Sequence, residues 1–525
     1  MQFQTIDLVI FIAYCLLIIG IGLWVSRRKG GEEETSQDYF LASKTLPWWA
    51  IGASLIASNI SAEQFIGMQG SGFAIGLGIA TYEFMAAVTL LVVAKFFLPI
   101  FIEKGIFTMP QFLEVRYDNR VRTSLAVFWL LVYVFVNLTS VLYLGALAME
   151  TILNIPLWWG IVGLAIFAAV YSIYGGLKAV AWTDVVQVIF LAGGGLITTY
   201  LALQAVSGEN GGFFDGLAIL WEKAPEKFDM IISKDGVNAE HYSNLPGISV
   251  LIGGMWIANL NYWGCNQYII QRTLAAKSIQ EAQRGVAFAG YLKILMPLIV
   301  VIPGIAAYVL DAPIGKPDEA YPWLLANFVP AGIKGLAFAA LIAAVVSSLA
   351  SMVNSTATIF TIDIYKHFIN KSASERTLVN TGRLVGGIAL VIAVLVAPQL
   401  RVLDQAFQFI QEYTGFVSPG VVAIFLLGLF WKRTTANAAL WGAILTIPLS
   451  VLAKSFLDSM PFIDRMGVVF LVIVAVMVVV SLLETKQPSP KGIALSRSLF
   501  HTGPIFNILA IGICMIIAAI YLLFW

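Results

Sequence analysis

Charge is scarce in this chain. Only 12% of its 525 residues are Asp, Glu, Lys or Arg, against roughly 25% in soluble globular proteins. That shortage excludes an ordinary soluble enzyme or binding domain. The formal net charge of +1 gives no reason to expect nucleic acid or another polyanion as partner. The three cysteines, Cys15, Cys265 and Cys514, all fall in hydrophobic runs, which excludes a disulfide framework or a thiolate metal site. The three histidines, His241, His367 and His501, fall between such runs, which excludes paired-His haem ligation at membrane depth. No nucleophile–base pair or metal-ligand cluster is present, so an enzyme is not expected. Period-2 alternation is missing, which excludes a barrel. Met1–Asp7 lacks positive charge and Arg27–Arg28–Lys29 follow the first apolar run. That order is wrong for a cleavable signal peptide, so the first run reads as a retained helix.

What is present is hydrophobic length. Runs of about 20 apolar residues recur from end to end and give about fourteen spans: 6–25, 48–73, 78–101, 121–153, 157–174, 182–206, 246–271, 286–310, 332–367, 379–398, 404–431, 434–455, 465–483 and 505–525. The expected fold is an all-α integral membrane protein, one domain over 1–525. Of the 31 lysines and arginines, 21 lie in or bordering the odd-numbered gaps, 8 in or bordering the even-numbered ones, and Lys95 and Lys293 inside spans. Positive residues stay on the cytoplasmic side, so both termini are expected outside, with the cell (inner) membrane as the location. Segment 207–245 is long, polar and external, either a lid with a short helix or a solvated connector. Segment 26–47 is expected along the cytoplasmic surface.

Two spans are interrupted at depth. The second carries Asn59–Ile60–Ser61–Ala62–Glu63–Gln64 with Gly67, Gly70 and Gly72 close behind. The seventh carries Asn259–Leu260–Asn261–Tyr262–Trp263–Gly264–Cys265–Asn266–Gln267. Polar residues in hydrocarbon cost several kcal/mol and face a pathway or a site. Non-helical backbone at that depth must be buried or line a cavity. Broken helices five spans apart are the pattern of transporters built from inverted repeats, with the substrate site at the breaks. A kinked helix whose Ser and Asn bond their own backbone is the structural alternative. Glu83 and Lys293 fall inside the third and eighth spans, Glu412 in the eleventh, and Asp184 near a cytoplasmic end. Glu83 and Lys293 can offset each other in a roughly neutral cavity, or simply join helices. No arginine is expected deep inside a span, so the fork that a carboxylate ligand favours is missing. Tyr262–Trp263 sits mid-span, where an interfacial belt does not explain it. Ser347, Ser348 and Ser351 with Asn354–Ser355–Thr356 form a hydroxyl-rich face, which can pack helices or ligate a hard cation beside unwound carbonyls.

The stretches Asn59–Met68, Asn137–Gly145, Tyr171–Gln187, Tyr262–Lys277, Ser347–Asp363 and Gln408–Gly415 together resemble the sodium/solute symporter family over nearly the whole chain. The resemblance implies a LeuT-type fold. It has one extra N-terminal helix (6–25), a five-plus-five inverted repeat (48–206 and 246–431) and three C-terminal helices (434–525). It implies that Asn59, Gln64, Glu83, Asn259, Lys293 and Gln411 hold sugar hydroxyls, with Trp263 as a pocket aromatic. Tyr262 would cover the sugar from inside; Met68, Tyr82 and Phe407 would form the outer gate. Sodium would be bound by the carbonyls of Ala57, Ile60 and Ala344 and the hydroxyls of Ser347 and Ser348, and would leave past Asp184. Three departures from galactose-carrying members stand out: Ala86 replaces a hydroxyl-bearing residue, Asn261 replaces a Tyr beside the gate, and loop 311–331 is shorter.

The function implied is sodium-coupled symport of a neutral monosaccharide, of galactose or glucose type, by alternating access. Na+ is the coupling ion and the sugar and membrane lipids are the partners. The alternatives are the same machinery with an inositol, sugar acid, nucleobase or amino acid, a sodium-leak channel, or a non-transporting sugar sensor.

Overall fold

A computed structural model describes residues 4–26, 35–208, 211–236, 238–402, 411, 412 and 414–525. Among these residues the chain is helical, and Leu46 paired with Ala276 is the one isolated bridge. Ten helices are long and apolar enough to cross a membrane, and Leu157–Val170 and Ser418–Phe430 are shorter apolar helices. The two interrupted spans are indeed broken. The first runs Trp48–Asn59, leaves the helix at Ile60 (φ −79°, ψ 122°), and resumes over Glu63–Met68 and Gln69–Ala74. The second runs Gly254–Leu260 and Asn261–Cys265, opens at Asn266, and resumes over Gln267–Leu274. The protein is a multi-pass membrane protein.

Burial sorts the helices into a core and a lipid-facing shell. The Ile333–Ile369 helix is 94% buried over its apolar window, whereas Thr5–Val25 and Pro504–Leu523 are 17% buried. Lipid is as apolar as leucine, so helices touching it gain nothing from hiding their side chains. The core comprises the two broken helices with Leu77–Glu103, Asn119–Leu153, Ile279–Val309 and Ile333–Ile369, whereas Gly175–Ser207 is 44% buried. Leu157–Val170 and Gly175–Ser207 answer to two of the expected spans. The backbone turns between them at Gly176 (φ 58°, ψ −157°), where a side chain would also strike the Tyr39 carbonyl at 2.4 Å.

The span ends bond one another in two sets. Ser36 bonds Glu375, Trp48 bonds Glu281, and Lys491 bonds Tyr117, all in or bordering the odd-numbered gaps. Asp7 bonds Gly332 and Gly335, and Met230 bonds Phe524, all at the opposite ends. Of segment 26–47, Ser26 and residues 35–47 are described. Its Ser36–Leu41 helix buries Tyr39, Phe40 and Leu41 in the protein, and the Tyr39 hydroxyl donates to the Ile173 carbonyl at 2.7 Å.

Small residues allow the first broken helix to lie directly on Ile279–Val309. A Cβ on Gly304 would come within 2.2 Å of the Gln69 carbonyl, and one on Gly72 within 2.7 Å of the Val301 carbonyl. Gly304→Leu is therefore expected to destabilise by about 1–3 kcal/mol through overpacking. Gly163→Leu, with nothing within 4 Å of its Cβ position, serves as the control. Thermal unfolding of the detergent-solubilised protein checks the pair, with only the first variant shifted downward.

Candidate functional site

The first break has a local cause. Gln64 Oε1 accepts from the Ser61 backbone N–H at 2.9 Å, and Ser61 Oγ accepts from the Glu63 N–H at 3.1 Å. Ser61–Ala62–Glu63–Gln64 thus starts a new helix in the way of a capping box. The preceding helix must stop and leave carbonyls near Asn59 without helical partners. Ser348 Oγ donates to two of these, Ser58 O at 3.0 Å and Ile60 O at 3.3 Å. Ala57, Ala344, Ser347 and Ser348 are all fully buried. Ser347 Oγ donates to Asp184 Oδ1 at 2.5 Å. Its proton is therefore committed and its lone pairs face elsewhere. Helix-end carbonyls and hydroxyls of this kind suit a hard monovalent cation. No group of three or more His, Cys, Asp or Glu capable of holding a metal occurs among the described residues.

Asp184 is itself at the centre of a buried network. Ser54 Oγ donates to its Oδ2 at 2.5 Å, Ser58 Oγ lies at 3.4 Å, and Arg272 Nη2 lies at 3.5 Å. Arg272 also donates to Ser54 Oγ at 2.8 Å, and contacts Ser351 Oγ and the Tyr268 carbonyl. Arg272 is 1% exposed. This corrects the expectation that arginine stays outside the spans. The second broken helix carries Arg272 in its last turn, and the helix dives inward instead of ending at the surface. Arg122 is likewise buried, paired with Asp363 at 2.8 Å and with Glu114.

A central cavity of about 170 Å³ lies between the two breaks. A cavity of ~150 Å³ holds one six-membered ring, so the volume admits a single small cyclic molecule. Asn59, Gln64, Met68, Tyr82, Glu83, Ala86, Asn259, Tyr262, Trp263, Lys293 and Gln411 all line it. The structure thus brings together every expected substrate residue and every expected gate residue except Phe407, which lies outside the described residues. Lys293 Nζ donates to Glu83 Oε2 at 2.5 Å and sits 5.3 Å from the centroid of the Trp263 ring. Asn259 Nδ2 donates back to Met255 O at 3.0 Å, which leaves its carbonyl oxygen to face a ligand. Asn261 Nδ2 instead donates to Ser418 Oγ at 3.0 Å and so ties the second broken helix to Ser418–Phe430. Glu412 faces away, half-exposed, on Arg465 at 2.9 Å and Lys454 at 3.1 Å.

The floor beneath Tyr262 is a tyrosine layer deeper than the sequence suggested. Tyr262 OH accepts from Asn59 Nδ2 at 2.9 Å and from Tyr268 OH at 2.5 Å. The Tyr268 ring packs edge-on against Tyr133 at 5.7 Å, and Tyr133 OH donates to Asn266 Oδ1. Asn137 also lines the cavity, its Oδ1 buried without a partner. Its sequence signal was a lone Asn in the apolar run 121–153, the same signal that marked Glu83.

The profile of the Sodium:solute symporter family matches residues 39–446. The chain belongs to this family. It is 55% identical over 99% of its length to the sodium/glucose cotransporter of Vibrio parahaemolyticus, covering 98% of that protein. It is 35% identical over 88% of its length to the sodium/myo-inositol cotransporter 2 of Mus musculus, covering 72% of that protein. Its fold is shared with a Na+-coupled sialic acid symporter solved in a substrate-bound outward-open state. That comparison gives a TM-score of 0.81 at 24% identity, over 93% of this chain and all of the other.

Two partners buried 2.5 Å apart protect each other from the cost of an uncompensated charge. Lys293→Met is expected to destabilise by about 3–5 kcal/mol by leaving Glu83 alone. Glu83→Gln added to it should recover most of that loss. Thermal unfolding of the two variants measures this, and ligand binding should fail in both.

Proposed function

We propose that the chain imports a neutral monosaccharide together with Na+. Asn59, Gln64, Glu83, Asn137, Asn259, Lys293 and Gln411 hold the hydroxyls, and Trp263 offers a ring face. One observation carries the neutral character of the ligand. The charged residues lining the cavity among those described are Glu63, Glu83 and Lys293, with no arginine. Glu83 and Lys293 already neutralise each other and accept and donate at fixed positions. Hydroxyls, which do both, complete such a pair without bringing in a new charge. The names of the relatives, glucose and myo-inositol cotransporters, agree on a neutral ring bearing hydroxyls. Ala86 on the cavity wall offers no hydrogen bond there, which keeps myo-inositol as the second reading.

Sodium binds at the first break to the carbonyls of Ala57, Ile60 and Ala344 and the hydroxyls of Ser347 and Ser348. Asn59 and Gln64 flank that break and also face the cavity, so an ion that fixes the break also fixes part of the sugar site. This is a coupling free energy. Each ligand raises the affinity for the other by one factor, on the order of 5–150-fold. One positive charge entering down 100 mV contributes about 2.3 kcal/mol. Tyr262 is the inner gate, Met68 and Tyr82 with Phe407 the outer one, and Asp184 borders the sodium exit.

The same reading takes the helices as fourteen crossings in the cell (inner) membrane with both termini outside. Residues 48–206 and 246–431 form inverted repeats, with a helix before and three after. Two broken helices beside ten long and two short apolar ones support the number.

Uptake of labelled glucose, galactose and myo-inositol into proteoliposomes tests the proposal. Accumulation is expected with an inward sodium gradient and not with potassium. Lys293→Ala should abolish it. Ser348→Ala should raise the sodium concentration for half-maximal uptake by about tenfold, one lost ligand at ~1.4 kcal/mol. Sodium-independent uptake, or none of any of the three solutes, would sink the reading.

A further inference from the structure

Segment 207–245 is docked rather than draped. Its Phe213–Lys223 helix packs Trp221 at 5.0 Å against Phe524 of the last helix, and Phe228 joins the same aromatic group. Met230 N–H donates to the Phe524 carbonyl at 2.7 Å. The most unusual member is Lys227, a loop lysine left only 7% exposed. Its Nζ donates to the Ala74 carbonyl at 2.5 Å and lies 4.3 Å from the centroid of the Tyr308 ring. Ala74 ends the Gln69–Ala74 helix, the outer half of the first broken helix. Tyr308 is in the last turn of Ile279–Val309, the helix that carries Lys293. Gly76, at φ 97°, starts the turn into the helix of Tyr82 and Glu83, and a Cβ there would meet the Lys227 carbonyl at 2.2 Å.

We propose that residues 211–236 form a clamp on the outer side of the substrate site and that Lys227 is its positioning residue. A cation at a helix C-terminus is favourable by up to ~2 kcal/mol when partly buried, and an aromatic face adds to it. Here both partners belong to helices that line the cavity. Lys227 therefore fixes the spacing between the element bearing Gln64 and Met68 and the element bearing Lys293. The neighbouring turn sets Tyr82 and Glu83 against both. A solvated connector would need neither a buried ammonium nor a glycine held at positive φ beneath it. Lys227 touches no ligand and acts through these three elements.

The test compares Lys227→Met, which keeps the apolar stem, with Lys227→Arg, which restores the charge. Gly76→Ala loosens the same junction from the other side. Two readouts are needed: backbone hydrogen exchange over residues 69–82, and the split of sugar uptake into KM and maximal rate. Lys227→Met and Gly76→Ala are expected to speed exchange there and raise KM about tenfold, with maximal rate held within about twofold and Lys227→Arg close to wild type. Unchanged exchange, or faster exchange with unchanged KM, would overturn the clamp. So would an equal loss in Lys227→Arg, which would mark mere packing. The kinetic arm rests on the transport reading. If wild type takes up no sugar, that reading fails while the exchange arm still decides whether the clamp exists.

Discussion

The arrangement depends on one buried ion pair that could not stand alone. Asp184 and Arg272 are both out of water, and their closest approach is 3.5 Å. Desolvating two charges costs several kcal/mol each, and attraction alone repays it only with ideal geometry and further hydrogen bonds. The serines provide those bonds. Ser54, Ser58 and Ser347 crowd the carboxylate, while Ser54 and Ser351 receive the guanidinium. These groups come from the first broken helix, the helix after Gly176, the second broken helix and the Ile333–Ile359 helix. The pair is stable only where all four meet, so it selects the one packing that brings both breaks together.

A second pair, Glu83 with Lys293, does for the cavity what the first does for the packing around the breaks. It differs in one respect. Its dressing is incomplete, since the cavity lies open beside it and Trp263 covers only one side. The contrast separates a network that is satisfied and fixes geometry from one left open to a cavity. Asn59 connects the two levels. Its Nδ2 holds the Tyr262 hydroxyl while its backbone forms the last turn before the first break. A change in the break is thereby transmitted to Tyr262 through one side chain, whose Oδ1 is buried and unpartnered.

Much of this was legible in the chain because membranes punish polarity. Asn59, Glu83, Asn259 and Lys293 stood out against apolar neighbours, and Ser61 and Gln64 carried the spacing of a helix start. The apolar runs located the helices, including the two that meet at the Gly176 turn. Arg272 was hidden by position. It falls just beyond a hydrophobic run, where an arginine ordinarily meets water, and only the inward path of the second broken helix buries it. Tyr133 and Tyr268 were hidden by kind, because a tyrosine in an apolar run reads as core or interface until its hydroxyl finds a partner. Segment 207–245 was hidden by composition. Its polarity matches a solvated loop, and nothing in the order of residues announces that Lys227 reaches Tyr308. The role of Phe407 in the outer gate rests on the resemblance alone.

A transporter must open one seam for its cargo to leave, and the chemistry beside Arg272 suits such a seam. Below Arg272, the helix Gln267–Leu274 faces Ile333–Ile359 through polar groups. Gln271 accepts from Ser355 Oγ at 2.9 Å and donates to Thr358 Oγ1 at 3.0 Å and to the Phe40 carbonyl at 2.5 Å. The hydroxyls recur at Ser347, Ser351, Ser355 and Thr358, every three or four residues, and so share one helix face. An apolar seam that parts exposes surface at about 25 cal/mol per Å². A seam of hydroxyls and amides exchanges internal hydrogen bonds for bonds to water at a net cost near 1 kcal/mol each. It can be closed firmly enough to order the helices and still separate without a large barrier. An interface between elements that must both hold and release is better built from such groups than from leucine.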